Sequence, residues 1–236
     1  LVIFERRAYT MEPGHTEMFD QAQIERGFDL VKPYMERLVG YFSTRSGVVD
    51  QIVHFYRYDD LADWELRLRG LYNVPELTPY FVNTRKIVRH QNNAFFEPLP
   101  VLALNPLWSK QRDWVPADGR KLSQLSPNLI IEERSFQLRP GGIPAFIKAC
   151  ESTGKELFKV MEGRTIGAFM TMIGTLHNVL IWWWFKTQDE QEARLAMFSG
   201  RSEWKAFINE ISPFLLNQER ILMLPRQVPE MSPLFS

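Results

Sequence analysis

The sequence predicts an α+β fold: two tandem ferredoxin-like β-α-β-β-α-β units packed sheet to sheet, as a pseudo-dimeric α/β barrel within one chain. Three observations carry this. First, Ile3-Phe4-Glu5-Arg6-Arg7-Ala8-Tyr9-Thr10-Met11-Glu12-Pro13-Gly14 returns as Ile130-Ile131-Glu132-Glu133-Arg134-Ser135-Phe136-Gln137-Leu138-Arg139-Pro140-Gly141, each number raised by 127. The same offset pairs Phe19, Gly40, Phe42, Thr44, Gly47, Arg67, Gln91 and Pro98 with Phe146, Gly167, Phe169, Thr171, Gly174, Arg194, Gln218 and Pro225. That is an ungapped duplication of one domain, not a solenoid of short repeats. Second, each copy switches between a period of two and a helical period in the order of the split βαβ unit, a four-stranded antiparallel sheet with helices on one face. Third, Ile181, Trp183 and Phe185 share one face of a strand whose other face carries Leu180, Trp182 and Trp184. Both sheet faces therefore need cover, and the other copy's sheet is the simplest cover for the face without helices.

The elements follow in order. Val2 to Met11 alternates as a strand does. Pro13-Gly14 turns the chain, and Phe19, Ala22, Leu30, Val31, Tyr34 and Leu38 then recur at helical spacing, with Pro33 expected to bend the helix near its end. Val39 to Thr44 and Gln51 to Tyr58 read as a hairpin around Ser46-Gly47. Asp59-Asp60 starts a helix continued by Leu61, Trp64, Leu68 and Leu71, since a short acidic side chain caps free backbone amides. A second helical piece spans Tyr80 to His90, and Asn93 to Phe96 is a short last strand. Repeat two has strands near Asn128 to Leu138, Thr165 to Met172, Asn178 to Phe185 and Arg220 to Leu224. The expected domains are 1–97 and 128–225, joined by a linker, 98–127, and followed by a tail, 226–236. Trp108 and Trp114 suggest that the Pro-rich linker packs on something, and the tail is expected to be irregular and free to act as an interaction arm.

Composition narrows the function. Lys plus Arg equals Asp plus Glu at 28 each, so no global field draws the chain to nucleic acid or an anionic membrane surface. No apolar run approaches the roughly 18 residues of a membrane span. Cys150 is the only cysteine, which excludes an internal disulfide and a cysteine-based zinc site and fits a reducing compartment. The start has neither an initiator Met nor a secretory leader, and reads either as the end left by a removed organellar transit peptide or as a truncation.

Glu5-x-Arg7-x-Tyr9-x-x-x-Pro13-Gly14, then Leu38-Val39-Gly40-Tyr41-Phe42, then Gln51-Ile52-Val53-His54-Phe55-Tyr56-Arg57-Tyr58-Asp59 resembles the NIPSNAP family, a branch of the dimeric α/β barrel proteins. The likeness covers both repeats. With the closing Leu222-Met223-Leu224-Pro225 and Ser232-Pro233-Leu234, it looks like the two-domain eukaryotic members. Those are mitochondrial and associated with membrane complexes, trafficking and mitophagy signalling. The resemblance thus implies the mitochondrion, in the matrix or at the matrix face of the inner membrane; a bacterial cytoplasm is the alternative. It brings no established catalytic mechanism.

Candidate chemistry gathers on two strands. Glu5, Arg7 and Tyr9 share one face of the first strand, and His54, Tyr56 and Tyr58 one face of the third. As an enzyme, His54 would be a general acid/base and Arg7 would bind an anionic group, with Glu5, Tyr9 and Tyr56 beside them in a cavity between the sheets. As structure, Glu5 and Arg7 form a satisfied ion pair, repeated as Glu132 and Arg134, with His54 packed among tyrosines. The structural reading is preferred, because repeat two has Ile181 where repeat one has His54, and Trp183-Trp184-Phe185 where it has Tyr56-Arg57-Tyr58. His15, His54, His90 and His177 show no metal-ligand spacing, and no cofactor, haem included, is expected. The expectation is a non-catalytic interaction protein whose linker and tail dock on a larger protein assembly, with no nucleic acid and no need for a homodimer. The alternative is a small-molecule oxygenase or isomerase working in the inter-sheet cavity, which a solid interior filled by Trp183 would remove.

Overall fold

The computed structural model describes residues 2–108 and 128–231. Repeat one runs β1 (Ile3–Met11), α1 (Thr16–Arg26), α2 (Lys32–Met35), β2 (Leu38–Thr44), β3 (Gln51–Tyr58), α3 (Leu61–Tyr72), α4 (Thr78–Ile87) and β4 (Val88–Pro98). Repeat two runs β5 (Ile130–Leu138), α5 (Gly142–Glu151), α6 (Gly154–Phe158), β6 (Thr165–Ile173), β7 (Asn178–Phe185), α7 (Gln188–Ser199), α8 (Ser202–Ile211) and β8 (Leu215–Pro225).

Local chemistry places the boundaries. Gly14 and Gly141, 127 apart, both take positive φ (+76° and +83°) at the turn after the first strand of each repeat. Asp60 caps α3 by accepting a hydrogen bond from the Asp63 N–H at 2.9 Å, and Thr187 does the same for α7 from the Glu190 N–H at 3.2 Å. The expected single bent helix through Leu38 is instead two helices. Gly27, at φ +72°, ends α1, and Pro33 sits in the first turn of α2, where its missing N–H leaves no bond unmade. The helix expected to reach His90 stops at Ile87, and β4 and β8 are each 11 residues long, well beyond Asn93–Phe96 and Arg220–Leu224. Their polar runs, Arg89 to Asn93 and Asn217 to Arg220, lack apolar alternation because this half of each strand is mostly exposed. Ladder pairing with β1 and β5, such as Thr10 with His90 and Gln137 with Asn217, holds them extended.

The eight strands close into one antiparallel barrel in the order β1-β3-β2-β8-β5-β7-β6-β4. Each repeat supplies four neighbours, and two short seams join them: Phe42–Thr44 with Met223–Pro225, and Phe95–Pro98 with Phe169–Ile173. The sheets are thus hydrogen-bonded edge to edge as well as facing each other, which leaves no open sheet edge at the seams. Helices cover the outside.

Alternation sorts the side chains into three cores. Phe4, Phe42, Phe55, Phe96, Phe169, Trp182 and Trp184 point into the barrel, where Phe55 and Trp182 stack at 4.2 Å between ring centroids. Outside repeat two, Ile181, Trp183 and Phe185 pack under the helices with Phe146, Phe198 and Phe207. Both faces of β7 are buried as expected, but Trp183 is not the barrel filler: the one-residue alternation gives that place to Trp182 and Trp184. Cys150 is buried in the same outer core. A third core lies outside repeat one.

The segments after β4 and β8 cross over. The Leu99 N–H donates to the Ala168 carbonyl at 2.8 Å, and the Arg226 N–H to the Tyr41 carbonyl at 2.9 Å, bonds related by the same offset of 127. Val101 and Leu104 then enter the core of repeat two, and Val228 and Met231 that of repeat one. Trp108 turns into the base of the barrel and donates its Nε1–H to the Ile166 carbonyl at 2.8 Å. The described parts of linker and tail are therefore committed within the chain, and the tail is an arm docked on its own first repeat up to Met231. Trp114 lies outside the described residues.

Candidate functional site

The structure brings the predicted residues of repeat one together, but on the outer face of the barrel beneath the helices, not between the sheets. The register places Glu5 opposite Tyr56 and Arg7 opposite His54. Their barrel-facing neighbours are Phe4, Val53 and Phe55, so the polar set points to the other side. Arg7 donates to Glu5 twice, Nε to Oε1 at 3.0 Å and Nη2 to Oε2 at 2.7 Å. Asn93 Nδ2 donates to Glu5 Oε1 at 2.5 Å and the Tyr58 hydroxyl to Oε2 at 3.5 Å, while the Arg7 guanidinium lies 5.0 Å from the centre of the Tyr56 ring. Glu5 is fully buried. Burial works against the Arg7 charge, yet Tyr9, Glu5, Tyr56 and Tyr58 together hold its pKa above the ordinary value.

His54 sits among rings, with Tyr41 at 4.9 Å, Tyr9 at 5.1 Å, Tyr56 at 5.9 Å and Phe19 at 6.3 Å. Its Nδ1 is 3.3 Å from the Tyr56 hydroxyl, and its Nε2 is buried without a hydrogen-bond partner among the described residues. Burial, reinforced by Arg7 and Arg26, drives its pKa well below the usual imidazole range, so the ring is neutral at pH 7. Burial likewise pushes Tyr9, Tyr41, Tyr56 and Tyr58 upward, and Tyr80 up to about 12. A general acid/base needs a pKa near the working pH and contact with its substrate. Burial moves His54 and the four tyrosines around it away from that range, His54 downward and the tyrosines upward.

Repeat two keeps the ion pair and changes its surroundings. Arg134 Nη2 donates to Glu132 Oε1 at 3.2 Å, and Gln191 Nε2 to Oε2 at 2.5 Å. The Arg134 guanidinium lies 5.5 to 5.7 Å from the ring centres of Trp183, Phe198 and Trp204.

A cavity does exist between the sheets, lined by residues the sequence reading passed over. About 730 Å³ opens at one end of the barrel, above the aromatic plug, with Arg6, Glu133, Asn92, Ser135, Thr171 and Glu219 among its walls. Glu5, Arg7, His54 and Tyr56 do not line it. At its floor Arg6 Nε donates to Glu133 Oε2 at 2.8 Å, and Trp182 Nε1 donates to the same oxygen at 2.9 Å. β1 and β5 stand on opposite sides of the barrel, so this pair spans it. The signal was present in the sequence: Arg6 and Glu133 are equivalent positions, on the strand face that must turn inward, with opposite charges. Among the described residues, no three His, Cys, Asp or Glu side chains converge as a metal site would require.

A one-chain barrel of two β-α-β-β-α-β repeats is the architecture of the dimeric α/β barrel class. A solved anthrone oxidase-like protein superposes with a TM-score of 0.62 over 96% of this chain and 92% of its own, at 11% identity, a likeness of fold alone. The NIPSNAP family model matches residues 4–103 and again 131–229, and the chain belongs to that family. Protein NipSnap homolog 3B of Homo sapiens is 24% identical over 94% of this chain and 83% of its own length. Protein NipSnap homolog 2 of Mus musculus is 27% identical over 82% of this chain and 63% of its own. The resemblance read from Glu5 to Asp59 is thereby borne out, in both repeats.

Proposed function

We propose that this chain is a non-catalytic interaction protein, an accessory component docked on a larger mitochondrial assembly at the matrix face of the inner membrane. The observation that carries the reading is the sealing of the acid-base candidates: Glu5, Arg7, His54 and Tyr56 are buried beneath helices and bonded chiefly to one another. Family membership supports the mitochondrion. No helix among the described residues is long and apolar enough to cross a membrane. Two equivalent apolar tips are available for contact. Val49 is 78% exposed and Leu176 52%, each in the hairpin loop of its repeat.

The test is the size at which the protein migrates when mitochondria are solubilised gently. The expected result is migration well above the 27.8 kDa of the chain, reduced by the double variant Val49→Asp/Leu176→Asp, which keeps a native circular dichroism spectrum. Migration of the unaltered protein as a free monomer would sink the proposal.

A further inference from the structure

The cavity at the barrel mouth has a built floor. Glu133 is 4% exposed and held by both Arg6 and the Trp182 indole N–H, above a plug of aromatic rings. Only Nε of Arg6 is engaged there. Among the described residues its other guanidinium N–H groups have no hydrogen-bond partner, although the side chain is only 16% exposed. A guanidinium so placed presents a planar fork suited to a carboxylate. Beside it, Glu133 Oε1 accepts no hydrogen bond among the described residues and can accept from an ammonium.

The next layer outward is uneven in charge. Asn92 stands beside Ala8 on β1, while its repeat equivalent Glu219 stands beside Ser135 on β5, and both line the cavity. The lining residues carry two carboxylates, Glu133 and Glu219, against one guanidinium, Arg6, with the His90 imidazole at the wall and no lysine. Asn217 Nδ2 donates to Glu219 Oε1 at 2.8 Å and leaves its other oxygen for a ligand. That balance rejects a simple anion. It accepts a molecule carrying adjacent opposite charges at the floor and a further positive charge toward the rim.

We propose that the barrel mouth binds a small zwitterion with an additional cation, the chemistry of a basic α-amino acid. Its α-carboxylate lies on the free edge of the Arg6 guanidinium, its α-ammonium on Glu133, and its side-chain cation reaches Glu219. A volume of about 730 Å³ accommodates such a ligand with water around it. The site is independent of any docking on an assembly, and either can fail alone.

Titration calorimetry of the full chain at low salt tests this with three probes: L-lysine, L-glutamate and cadaverine. Saturable heat with L-lysine, and none with L-glutamate or with cadaverine, which lacks the carboxylate, is expected. Glu219→Gln, at an exposed position, should weaken L-lysine by about three- to fivefold, the range of one partly solvated charge contact. The double variant Arg6→Met/Glu133→Leu, which removes both charges together, should abolish binding while near-ultraviolet circular dichroism stays native. If that double variant fails to fold, Asn92→Phe, which narrows the mouth from an exposed position, takes its place and should block L-lysine. No saturable heat with L-lysine up to about 10 mM, a concentration beyond ordinary small-ligand affinities, overturns the proposal. So does equal binding of L-glutamate, or L-lysine binding that ignores every variant.

Discussion

Repeat one surrounds its buried glutamate and arginine with hydroxyls, an amide and an imidazole; repeat two surrounds the equivalent pair with indole and phenyl rings. In the first, Glu5 accepts from both sides of the Arg7 fork, from Asn93 and from Tyr58. In the second, Glu132 has one bond from Arg134 and one from Gln191, and the guanidinium is flanked by three rings. Both schemes satisfy the rule that a buried charge needs a partner, by different chemistry. What the duplication kept is therefore the ion pair, a structural element of the outer sheet face. What it varied is the set around that pair, with Ile181 and Trp183 standing where repeat one has His54 and Tyr56.

Removing the two carboxylates breaks this comparison most forcefully. Glu5→Gln leaves the Arg7 charge enclosed and should cost about 3–5 kcal/mol, the range for an uncompensated buried ion. Glu132→Gln should cost less, about 1–3 kcal/mol, because the faces of Trp183, Phe198 and Trp204 still stabilise the Arg134 cation. Urea unfolding of the two variants gives both numbers. An equal or larger loss for Glu132→Gln would mean that the rings do not stand in for the missing hydrogen bonds.

The pH dependence comes next in size, and only repeat one should show it at this position. His54 is depressed by burial first and by Arg7 and Arg26 second, and faces Tyr9, Tyr41 and Tyr56, whose hydroxyls burial keeps protonated. Above the unfolded value of about 6.5 the ring is neutral in both states and adds no slope. Below it the unfolded chain takes up a proton that the native chain refuses, so stability falls as pH falls, by up to about 1.4 kcal/mol per pH unit, until the folded pKa is reached. His54→Ile installs the residue of repeat two and should remove that share of the slope between pH 6.5 and 5.5, measured as urea midpoints. A slope identical to the parent's would show that His54 is already charged in the native state or does not titrate differently on unfolding.

The architecture was legible because a duplication doubles every signal. A strand period of two seen at Ile3 is seen again at Ile130, and chance cannot supply both in register. The inner and outer faces were harder to tell apart. On β7 all six residues from Leu180 to Phe185 are buried, so hydrophobicity could not say that Trp182 fills the barrel while Trp183 meets the helices. The same ambiguity misplaced the cluster around His54, whose members share a face that the sequence marks but does not orient. Arg6 and Glu133 would have oriented it. An arginine and a glutamate at equivalent positions pair only if the two repeats face each other across an axis, and that puts their face inward and the Glu5 face outward. The long polar halves of β4 and β8 escaped notice for another reason: exposed strands held by ladder pairing carry no apolar period to read.

The smallest difference lies at the start of the third helix in each repeat, where Asp60 and Thr187 occupy one position of the duplicated domain. Both caps satisfy an otherwise free backbone N–H, and loss of either to Ala should cost about 1 kcal/mol. Asp60 also brings a negative charge to the positive end of α3, worth a further about 0.3–1 kcal/mol at low ionic strength. Thr187 brings none. Asp60→Ala should thus be the more damaging change in dilute buffer, and the gap should close as salt is added, because screening removes the dipole contribution and leaves the hydrogen bond. Thermal melts of the two variants at low and at high salt measure it directly. A gap that persists unchanged at high salt would assign the difference to the better hydrogen bond, 2.9 Å against 3.2 Å, rather than to charge.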